Sequence, residues 1–321
     1  MTSGSRSGAT LLAAAFAIAV LGTGPTRAND LVRVGTPSAD DFHFSMSNVG
    51  EELGIYKKYG IDLQITALAG GAKMHQALIA NSLDVGLGAG TDLALIVKGA
   101  TEKAVGVLAE LPSNMVVQAS TLSKITDVGG LKGKKIAVSS YGALTYWLAQ
   151  QLAVHEGWGA DGIQIVATGG GQANVAGFQS GSLDAAVTSL EAGMKVEAAG
   201  QGKILLRFDS LVNPFIAHII YATNDMMAQH PDTLRRFLKG WYETVAWARA
   251  NRAEAIKLSQ KETELSNDLA PKIYDIEMPT FSADGHFDPK AIAAVEKAML
   301  DLKSVDAIPD RKTLITEEFL K

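Results

Sequence analysis

Short runs of apolar and polar residues along the chain predict strands, and most of these runs are followed by a helical pattern. Ile61–Thr66 alternates apolar and polar side chains, as a strand with one buried face does. After Pro231, apolar residues return every three or four positions as far as Ala248, which predicts a long helix packed on a core. Strands that alternate with helices are typical of α/β lobes with largely parallel sheets.

One part of this pattern occurs twice, one hundred residues apart. Gly70-Gly71 and Ser82-Leu83-Asp84 return as Gly170-Gly171 and Ser182-Leu183-Asp184. Both copies predict a strand, a glycine turn, a helix, a second turn and a second strand. The repeat therefore predicts two similar lobes, each a mostly parallel sheet flanked by helices.

Two strand-like runs predict where the chain passes between these lobes. Met115–Gln118 fits an outward crossing, and Asn213–Tyr221 fits the return. We therefore assign residues 29–116 and 219–321 to lobe 1 and residues 117–218 to lobe 2, with the hinge crossings at the ends of lobe 2. Two crossings make a hinge motion between the lobes geometrically possible.

The N-terminal segment differs from the rest of the chain. Arg6 precedes an uncharged run, Leu11–Leu21, and Thr26-Arg27-Ala28 places small residues three and one before a cut after Ala28. An apolar run of about 11 residues is too short to span a bilayer. We predict that residues 1–28 are a cleavable signal peptide and that the mature protein is periplasmic and does not span the membrane.

The composition excludes several classes of protein. The sequence has no cysteine, so it has no disulfide, no thiolate metal site, no thiol nucleophile and no lipidated N-terminal cysteine. Without the signal segment, 27 Lys and Arg face 34 Asp and Glu, which gives a net charge of −7. An acidic chain without basic runs is unlike nucleic-acid binders, and we expect no nucleic-acid partner.

No catalytic or cofactor motif is present. Gly133-Lys134-Lys135 lacks the other residues of a phosphate-binding loop, and Gly86–Gly90 lacks the third glycine of a dinucleotide site. The six histidines, at positions 43, 75, 155, 218, 230 and 286, do not have metal-ligand spacing. We predict no enzyme activity, no cofactor and no metal site, with the histidines in ordinary packing or surface roles.

The candidate ligand contacts lie in polar turns where strands lead into helices. In lobe 2, Ser139, Ser140 and Tyr141 precede a helix whose first turn includes Ala143 and Thr145. Their hydroxyls, together with free amides at a helix start, suit a carboxylate, a sulfonate or a nitrate. A capped turn that binds nothing explains the same residues.

The corresponding turn of lobe 1 is different in character. Asp40, Phe42 and His43 combine an acid, a ring and an imidazole, which suits an amine or an aromatic ring as well as an anion. Polar turns at equivalent points of two similar lobes predict one shared site between them. Further candidates from such turns, for some of which helix capping is an equal explanation, are Gly71, Gly90, Thr91, Asp92, Gln172, Ser189 and Glu191.

Four segments carry a resemblance to a known family: Glu52–Asp62, Gly130–Val138, Gly181–Val187 and Ala228–Asp232. With them, the chain resembles the NMT1-like substrate-binding proteins of bacterial ABC importers for alkanesulfonates, taurine, nitrate and thiamine pyrimidine precursors. The resemblance implies a two-lobed periplasmic binding protein fold of the second type, which closes on its ligand by a hinge motion. The ligand contacts that it implies are Gly90, Thr91, Asp92, Ser139, Ser140, Ala143 and Thr145.

The chain also departs from that family's pattern. Many relatives have a Trp-Glu-Pro string where this chain has Leu190-Glu191-Ala192, and the turn from Ser139 to Thr145 contains no arginine that would clamp a sulfonate. The identity of the substrate therefore stays open.

From this resemblance we expect a monomeric periplasmic receptor without catalytic activity. It would capture a small organic, anionic ligand of the sulfonate or carboxylate type and deliver it to an ABC permease and its ATPase. Three alternatives stay open, and one of them is a sensor module detached from transport. The other two concern the ligand and the activity. The ligand is an aromatic or pyrimidine-type precursor covered by Phe42 and Phe44, or the protein is an enzyme of the same fold that acts on a cofactor precursor.

Overall fold

The computed structural model describes residues 1–2, 28–39, 41–68, 70–141, 143–159 and 161–320. Most of the predicted signal peptide, residues 3–27, lies outside the described residues, as do Asp40 and Gly142. Within the described part of the chain, no helix has both the length and the apolar content needed to span a bilayer.

The described residues form ten strands in two sheets, with α-helices around them. The strands are β1 (Asp30–Thr36), β2 (Ile61–Ala67), β3 (Val85–Ala89), β4 (Glu102–Ala109), β5 (Met115–Ser120), β6 (Lys135–Val138), β7 (Gln164–Ala167), β8 (Ala185–Ser189), β9 (Gly202–Arg207) and β10 (His218–Thr223). The helices are α1 (Phe42–Glu52), α2 (Ile55–Lys58), α3 (Gly71–Ile79), α4 (Leu93–Val97), α5 (Leu144–His155), α6 (Gln172–Ser180), α7 (Leu190–Ala198), α8 (Asn224–Gln229), α9 (Pro231–Ala250), α10 (Arg252–Thr263), α11 (Ala270–Glu277), α12 (Pro289–Asp301) and α13 (Arg311–Leu314).

The two sheets have the same plan. Their strand orders are β2-β1-β3-β10-β4 and β7-β6-β8-β5-β9. In each sheet one strand, β10 or β5, runs antiparallel to both of its neighbours, and the other strands share one direction. This strand is the first that the chain forms after coming from the other sheet. The prediction of a two-lobed α/β fold with mostly parallel sheets is confirmed.

The sequence repeat corresponds to β2-α3-β3 in the first sheet and β7-α6-β8 in the second. Its aspartates do the same work in both copies. An oxygen of Asp84 accepts a hydrogen bond from the backbone nitrogen of Arg33 at 2.8 Å, and one of Asp184 accepts from that of Lys135 at 2.9 Å. Each carboxylate thus ties the start of a closing strand, β3 or β8, to the neighbouring strand β1 or β6.

The chain crosses between the sheets twice, and the two crossings lie side by side. The backbone nitrogen of Ala217 donates to the carbonyl oxygens of Ala109 and Glu110, both at 3.0 Å. The strand bounds place Met115 and Val116 in the second sheet and His218 in the first, within two residues of the predicted lobe boundaries. The division into 29–116 plus 219–321 and 117–218 stays a prediction.

The apolar core is continuous across the region where the lobes meet. Helix α9 buries Phe237 and Trp241 completely, as its apolar spacing predicts. Leu190 of α7 belongs to the same apolar cluster as Phe42 of α1. On the other side of the crossings, the indole of Trp147 stacks on the ring of Phe215, with 5.1 Å between their centroids. Both lobes therefore pack against the crossing segments.

Candidate functional site

The first turns of α1 and α7 meet between the two sheets. The backbone nitrogen of Phe42 donates to Oε1 of Glu191 at 2.9 Å. Asp41 caps α1, because its Oδ1 accepts from the backbone nitrogen of His43 at 2.8 Å. Helix α7 follows β8 of the second sheet, so the bond from Phe42 to Glu191 joins predicted site residues from the two sides.

A cluster of buried ionisable side chains surrounds this bond. Nδ1 of His43 lies 3.1 Å from Oε2 of Glu277 and 3.7 Å from Oδ1 of Asp41, and its Nε2 lies 3.0 Å from the hydroxyl of Thr280. The ring of His218 stands 5.2 Å from that of His43 between centroids. We name the five residues Asp41, His43, Glu191, His218 and Glu277 the interlobe cluster. Each member is at most 7% exposed.

The protein environment shifts the pKa values of the two histidines of this cluster in opposite directions. Burial lowers the pKa of His43, but the carboxylates of Glu277 and Asp41 outweigh it and raise the pKa to about 10. Burial lowers the pKa of His218 to about 4, although Asp41 opposes the change. Burial raises the pKa of Glu277 and of Glu191. At neutral pH, His43 is therefore cationic and His218 neutral.

Of the interlobe cluster, only His43 and Glu191 were among the predicted site residues, whereas Asp41, His218 and Glu277 were not. His218 lies at the start of β10 and Glu277 at the end of α11, in distant parts of the chain. The structure brings His218 beside His43 although the two are far apart in the sequence. No spacing rule links these residues. The one signal in the sequence was the strand-like run Asn213–Tyr221, which contains His218.

The rings of Phe42 and Phe44 are core residues, only 1% and 4% exposed. The ring of Phe42 makes edge contacts with those of Tyr274 and Phe281, with centroids 5.9 and 6.0 Å apart. Other aromatic side chains occupy the surroundings of these rings, which favours a core role over contact with a ligand, and a ligand contact stays a prediction. The backbone amide of Phe42 makes the hydrogen bond to Glu191.

In the first sheet, Asp92 belongs to a second group of ionisable side chains, together with His75 and Glu102. Its Oδ2 accepts from the backbone nitrogen of Ala89 at 2.9 Å and lies 3.0 Å from Nε2 of His75. Nδ1 of His75 in turn lies 2.5 Å from Oε1 of Glu102. Burial lowers the pKa of His75, but Asp92 and Glu102 outweigh it and raise the pKa to about 9. A side chain on Gly71 would come within 3.3 Å of Asp92, so these two candidates are neighbours.

Gly90 and Thr91 lie against the return crossing. The backbone nitrogen of Gly90 donates to the carbonyl of Ala217 at 2.9 Å, and a Cβ on Gly90 would lie 2.2 Å from the carbonyl oxygen of Ile216. The glycine is therefore required for this close approach of two backbones. Thr91 is 7% exposed.

In the second sheet, Ser139 and Thr145 form a closed pair of hydroxyls. The backbone nitrogen of Ser139 donates to Oγ1 of Thr145 at 3.0 Å, and the two hydroxyl oxygens are 2.9 Å apart. The backbone nitrogen of Gly169 donates to the carbonyl of Ser139 at 3.0 Å, which joins the two glycine and serine turns of this sheet. Ala143 caps α5 without a side-chain hydrogen bond, so the first amides of this helix have no side-chain acceptor.

The remaining candidates are more exposed or already have a capping role. Ser140, Tyr141 and Gln172 are exposed, and the ring of Tyr141 is 67% accessible. The hydroxyl of Ser189 accepts from the backbone nitrogen of Ala192 at 3.2 Å and caps α7. The predicted residues thus form three groups: the interlobe contact, the turns of the first sheet and those of the second.

Two cavities lie away from these groups. One of about 710 Å³ is bordered by Lys103, Arg311 and Glu317 at the edge of the first sheet, and one of about 220 Å³ lies beside Asn213–Ile216. No predicted site residue lines either cavity.

A family model described as NMT1/THI5 like matches residues 42–255, which is about two thirds of the chain. The chain belongs to this family. A curated binding protein from Brucella abortus (strain 2308) is 27% identical over 255 residues, covering 78% of this chain and 77% of the relative. The family resemblance predicted from the four sequence segments is therefore confirmed.

Solved structures show how widely the fold of this NMT1/THI5-like protein is shared. The alkanesulfonate-binding protein SsuA from Xanthomonas axonopodis pv. citri, bound to MOPS, has a TM-score of 0.76 at 15% identity, covering 89% of this chain and 98% of that one. The desulfurization enzyme DSZB has a TM-score of 0.67 at 15% identity, covering 91% and 98%. At such identity these likenesses establish the fold alone, and that fold holds both a binding protein and an enzyme.

Proposed function

We propose that this NMT1/THI5-like protein is the periplasmic solute-binding component of an ABC importer, acting as a monomer. It captures a small organic ligand between its two lobes and delivers it to the permease. The observation that carries this proposal is the hydrogen bond from Phe42 to Glu191, because it brings helix starts from both sheets to one place. The similarity to a Brucella binding protein and to SsuA supports the same function.

The ligand in this proposal has an anionic end that docks at the start of α5. The first amides of this 12-residue helix have no side-chain cap, and a helix start carries partial positive charge. Ser139 and Thr145 have two hydroxyl protons, and their mutual hydrogen bond uses only one of them. The other proton is left for a ligand acceptor. SsuA, an alkanesulfonate-binding protein bound to MOPS, supports a sulfonate or carboxylate as that acceptor.

Ligand binding in the cleft would work by favouring the closed arrangement of the lobes. A ligand that contacts both sides binds the closed form more tightly, and a few kcal/mol of differential affinity changes a mostly open population into a mostly closed one. The permease would then recognise the closed form.

A ligand screen tests the proposal. Chelator-treated mature protein is heated in the presence of alkanesulfonates including MOPS, carboxylates, nitrate and pyrimidines, and one class is expected to raise the melting temperature. Thr145→Val should then weaken that ligand roughly fivefold to tenfold, since a hydrogen bond contributes about 1 kcal/mol. Thr126→Val is the control, because it removes an exposed hydroxyl from a loop between two strands of the same sheet.

Two results would contradict this function. If Thr145→Val binds the ligand as tightly as the parent does, the anion site is not at the start of α5. Conversion of a bound compound into product, followed by mass spectrometry, would replace the receptor by an enzyme on this fold, as DSZB is. Such an enzyme would work without a thiol nucleophile, because the sequence has no cysteine.

A further inference from the structure

The interlobe cluster gathers three buried carboxyl groups around two imidazoles. Asp41, Glu191 and Glu277 are 7%, 1% and 0% exposed, and in the described residues none of them forms an ion pair with a lysine or arginine. Their basic neighbours within the cluster are the imidazoles of His43 and His218. Carboxyl groups buried in this way need a compensating partner, and a metal ion is one such partner.

Several donor atoms of the cluster have no hydrogen bond, although Nδ1 of His43 and Oε2 of Glu277 face each other as an ion pair at 3.1 Å. In the described residues, both carboxylate oxygens of Glu277, Oε2 of Glu191, and Nδ1 of each histidine, His43 and His218, are buried without a hydrogen bond. Buried polar atoms nearly always have a partner, and such exceptions mark places where an ion or water belongs. These atoms come from four different elements and occur in one small region.

Two sets of three donors are each close enough together to hold one ion, and the sets have Asp41 in common. Atoms from Asp41, His43 and His218 lie within 4.8 Å of one another, and so do atoms from Asp41, Glu191 and Glu277. Ligands that surround an ion at about 2.1 Å stand roughly 3.0 to 3.5 Å apart. The separations of 3.1 and 3.7 Å from Nδ1 of His43 to Glu277 and Asp41 are near this range. Asp41 belongs to both sets and lies at their centre.

We propose that the interlobe cluster binds one divalent transition-metal ion. Imidazole with carboxylate is a donor set for zinc, iron, manganese or cobalt, whereas calcium and magnesium prefer oxygen ligands throughout. The ion would take its ligands from Asp41, His43, Glu277, Glu191 and His218. This site is separate from the anion site proposed at α5 and does not depend on the identity of the ligand there.

The position of the ion gives it a structural consequence. Asp41, His43, His218 and Glu277 belong to elements on the first-sheet side, and Glu191 belongs to α7 on the second-sheet side. An ion held by both sides would oppose separation of the lobes. This consequence, unlike the site itself, rests on the hinge motion in the proposed function.

Zinc binding to the mature full chain, with its affinity tag removed and after dialysis against a chelator, tests the site. Calorimetry with zinc chloride and metal analysis after gel filtration should give one ion per chain with a Kd of about 10 µM or tighter. Glu277→Gln and His43→Asn should each weaken zinc at least tenfold. His286→Asn is the matched control, because His286 is an exposed histidine 3.3 Å from a carboxylate, that of Glu317.

The variants also separate loss of a ligand from loss of the fold. Glu277→Gln keeps the shape of the side chain, so its circular dichroism should match that of the parent, whereas its melting temperature in chelator should fall because the ion pair with His43 is lost. Cobalt should give visible absorption bands in the parent that are absent in Glu277→Gln.

The site is refuted if the parent takes up less than half an equivalent of zinc. Equal affinity in Glu277→Gln, His43→Asn and the parent also refutes it and means that protons neutralise the carboxylates. Because the ligand screen is run in chelator, failure of the metal site leaves its result unaffected, and failure of the screen leaves the zinc result unaffected.

Discussion

The turns that follow β1 and β6 occupy equivalent places in the two sheets, yet their side chains differ in burial and in charge. After β1, Asp41 and His43 are buried and charged, and other ionisable groups surround them. After β6, Ser139 and Thr145 are half-buried and uncharged, and they bond mainly to each other. The first turn contacts the second-sheet side through the hydrogen bond from Phe42 to Glu191, whereas the second has the hydroxyl proton and the helix amides that bind the ligand in the proposed function. A repeated backbone therefore does not imply a repeated role.

Among the substitutions, replacing the cationic His43 in the turn after β1 should lower the free energy of unfolding the most. In chelator, His43→Gln leaves Glu277 and Asp41 buried without their partner, and breaking such a pair costs about 3 to 5 kcal/mol. Urea unfolding followed by circular dichroism measures this loss. The double variant with Glu277→Gln should recover much of it, because the unpaired carboxylate is gone. A single variant within 1 kcal/mol of the parent would contradict the charged character of this side.

This contrast between the turns was only partly predictable from the sequence. Periodicity and the 100-residue repeat predicted the repeated units, helix α9 and the polar turns after β1, β3, β6 and β8, but not the strands β4 and β9. The partners of His43 were not predictable, because His218 arrives through β10, which returns to pair between β3 and β4, and Glu277 arrives on α11. Such meetings depend on how distant elements pack. The burial of Phe42 and Phe44 was open for the same reason, since the neighbours of a ring in a polar turn come from distant elements such as α11.

Alkaline pH should destabilise the protein through the first-sheet side alone. His43 faces Asp41 and Glu277, and His75 faces Asp92 and Glu102, which hold their folded pKa values at about 10 and about 9 against 6.5 in an unfolded chain. The stability from these raised pKa values is complete below about pH 6.5 and is lost as pH rises toward 9 and 10. We expect each of the two histidines to contribute a loss on the order of 2 to 3 kcal/mol between pH 7 and 9.5.

Urea unfolding at a series of pH values measures this effect, and His75→Asn should flatten part of the slope. His218 acts in the other direction, because its folded pKa of about 4 lies below 6.5 and its stability is lost as pH falls from 6.5 to 4. Stability should therefore be highest near neutral pH. A profile that rises steadily from pH 7 to 9.5 would contradict the assigned shifts.

The close approach at Gly90 should be sensitive to a single methyl group. A Cβ there would lie 2.2 Å from the carbonyl oxygen of Ile216, so Gly90→Ala must displace the return crossing or its own turn. Overpacking of this kind costs about 1 to 3 kcal/mol. Gly129→Ala is the control, because the nearest atom to its Cβ, an oxygen of Asp127, is at 3.4 Å. Equal melting temperatures for the two variants would mean that the crossing moves without cost.

The smallest effect concerns Ser189, for which capping and ligand contact remain competing explanations. Its hydroxyl accepts from the backbone nitrogen of Ala192, so Ser189→Ala should lower the free energy of unfolding by about 1 kcal/mol. Ser189→Asn keeps a capping acceptor and should restore most of that stability.

Ligand affinity then separates the explanations, because Asn changes the shape and chemistry of any direct contact. If Ser189 only caps α7, the helix that carries Glu191 to the interlobe contact, affinity follows stability and Asn restores both. If affinity falls equally in both variants while stability recovers in Asn, the hydroxyl contacts the ligand, and the second-sheet side has a further binding group beyond Ser139 and Thr145.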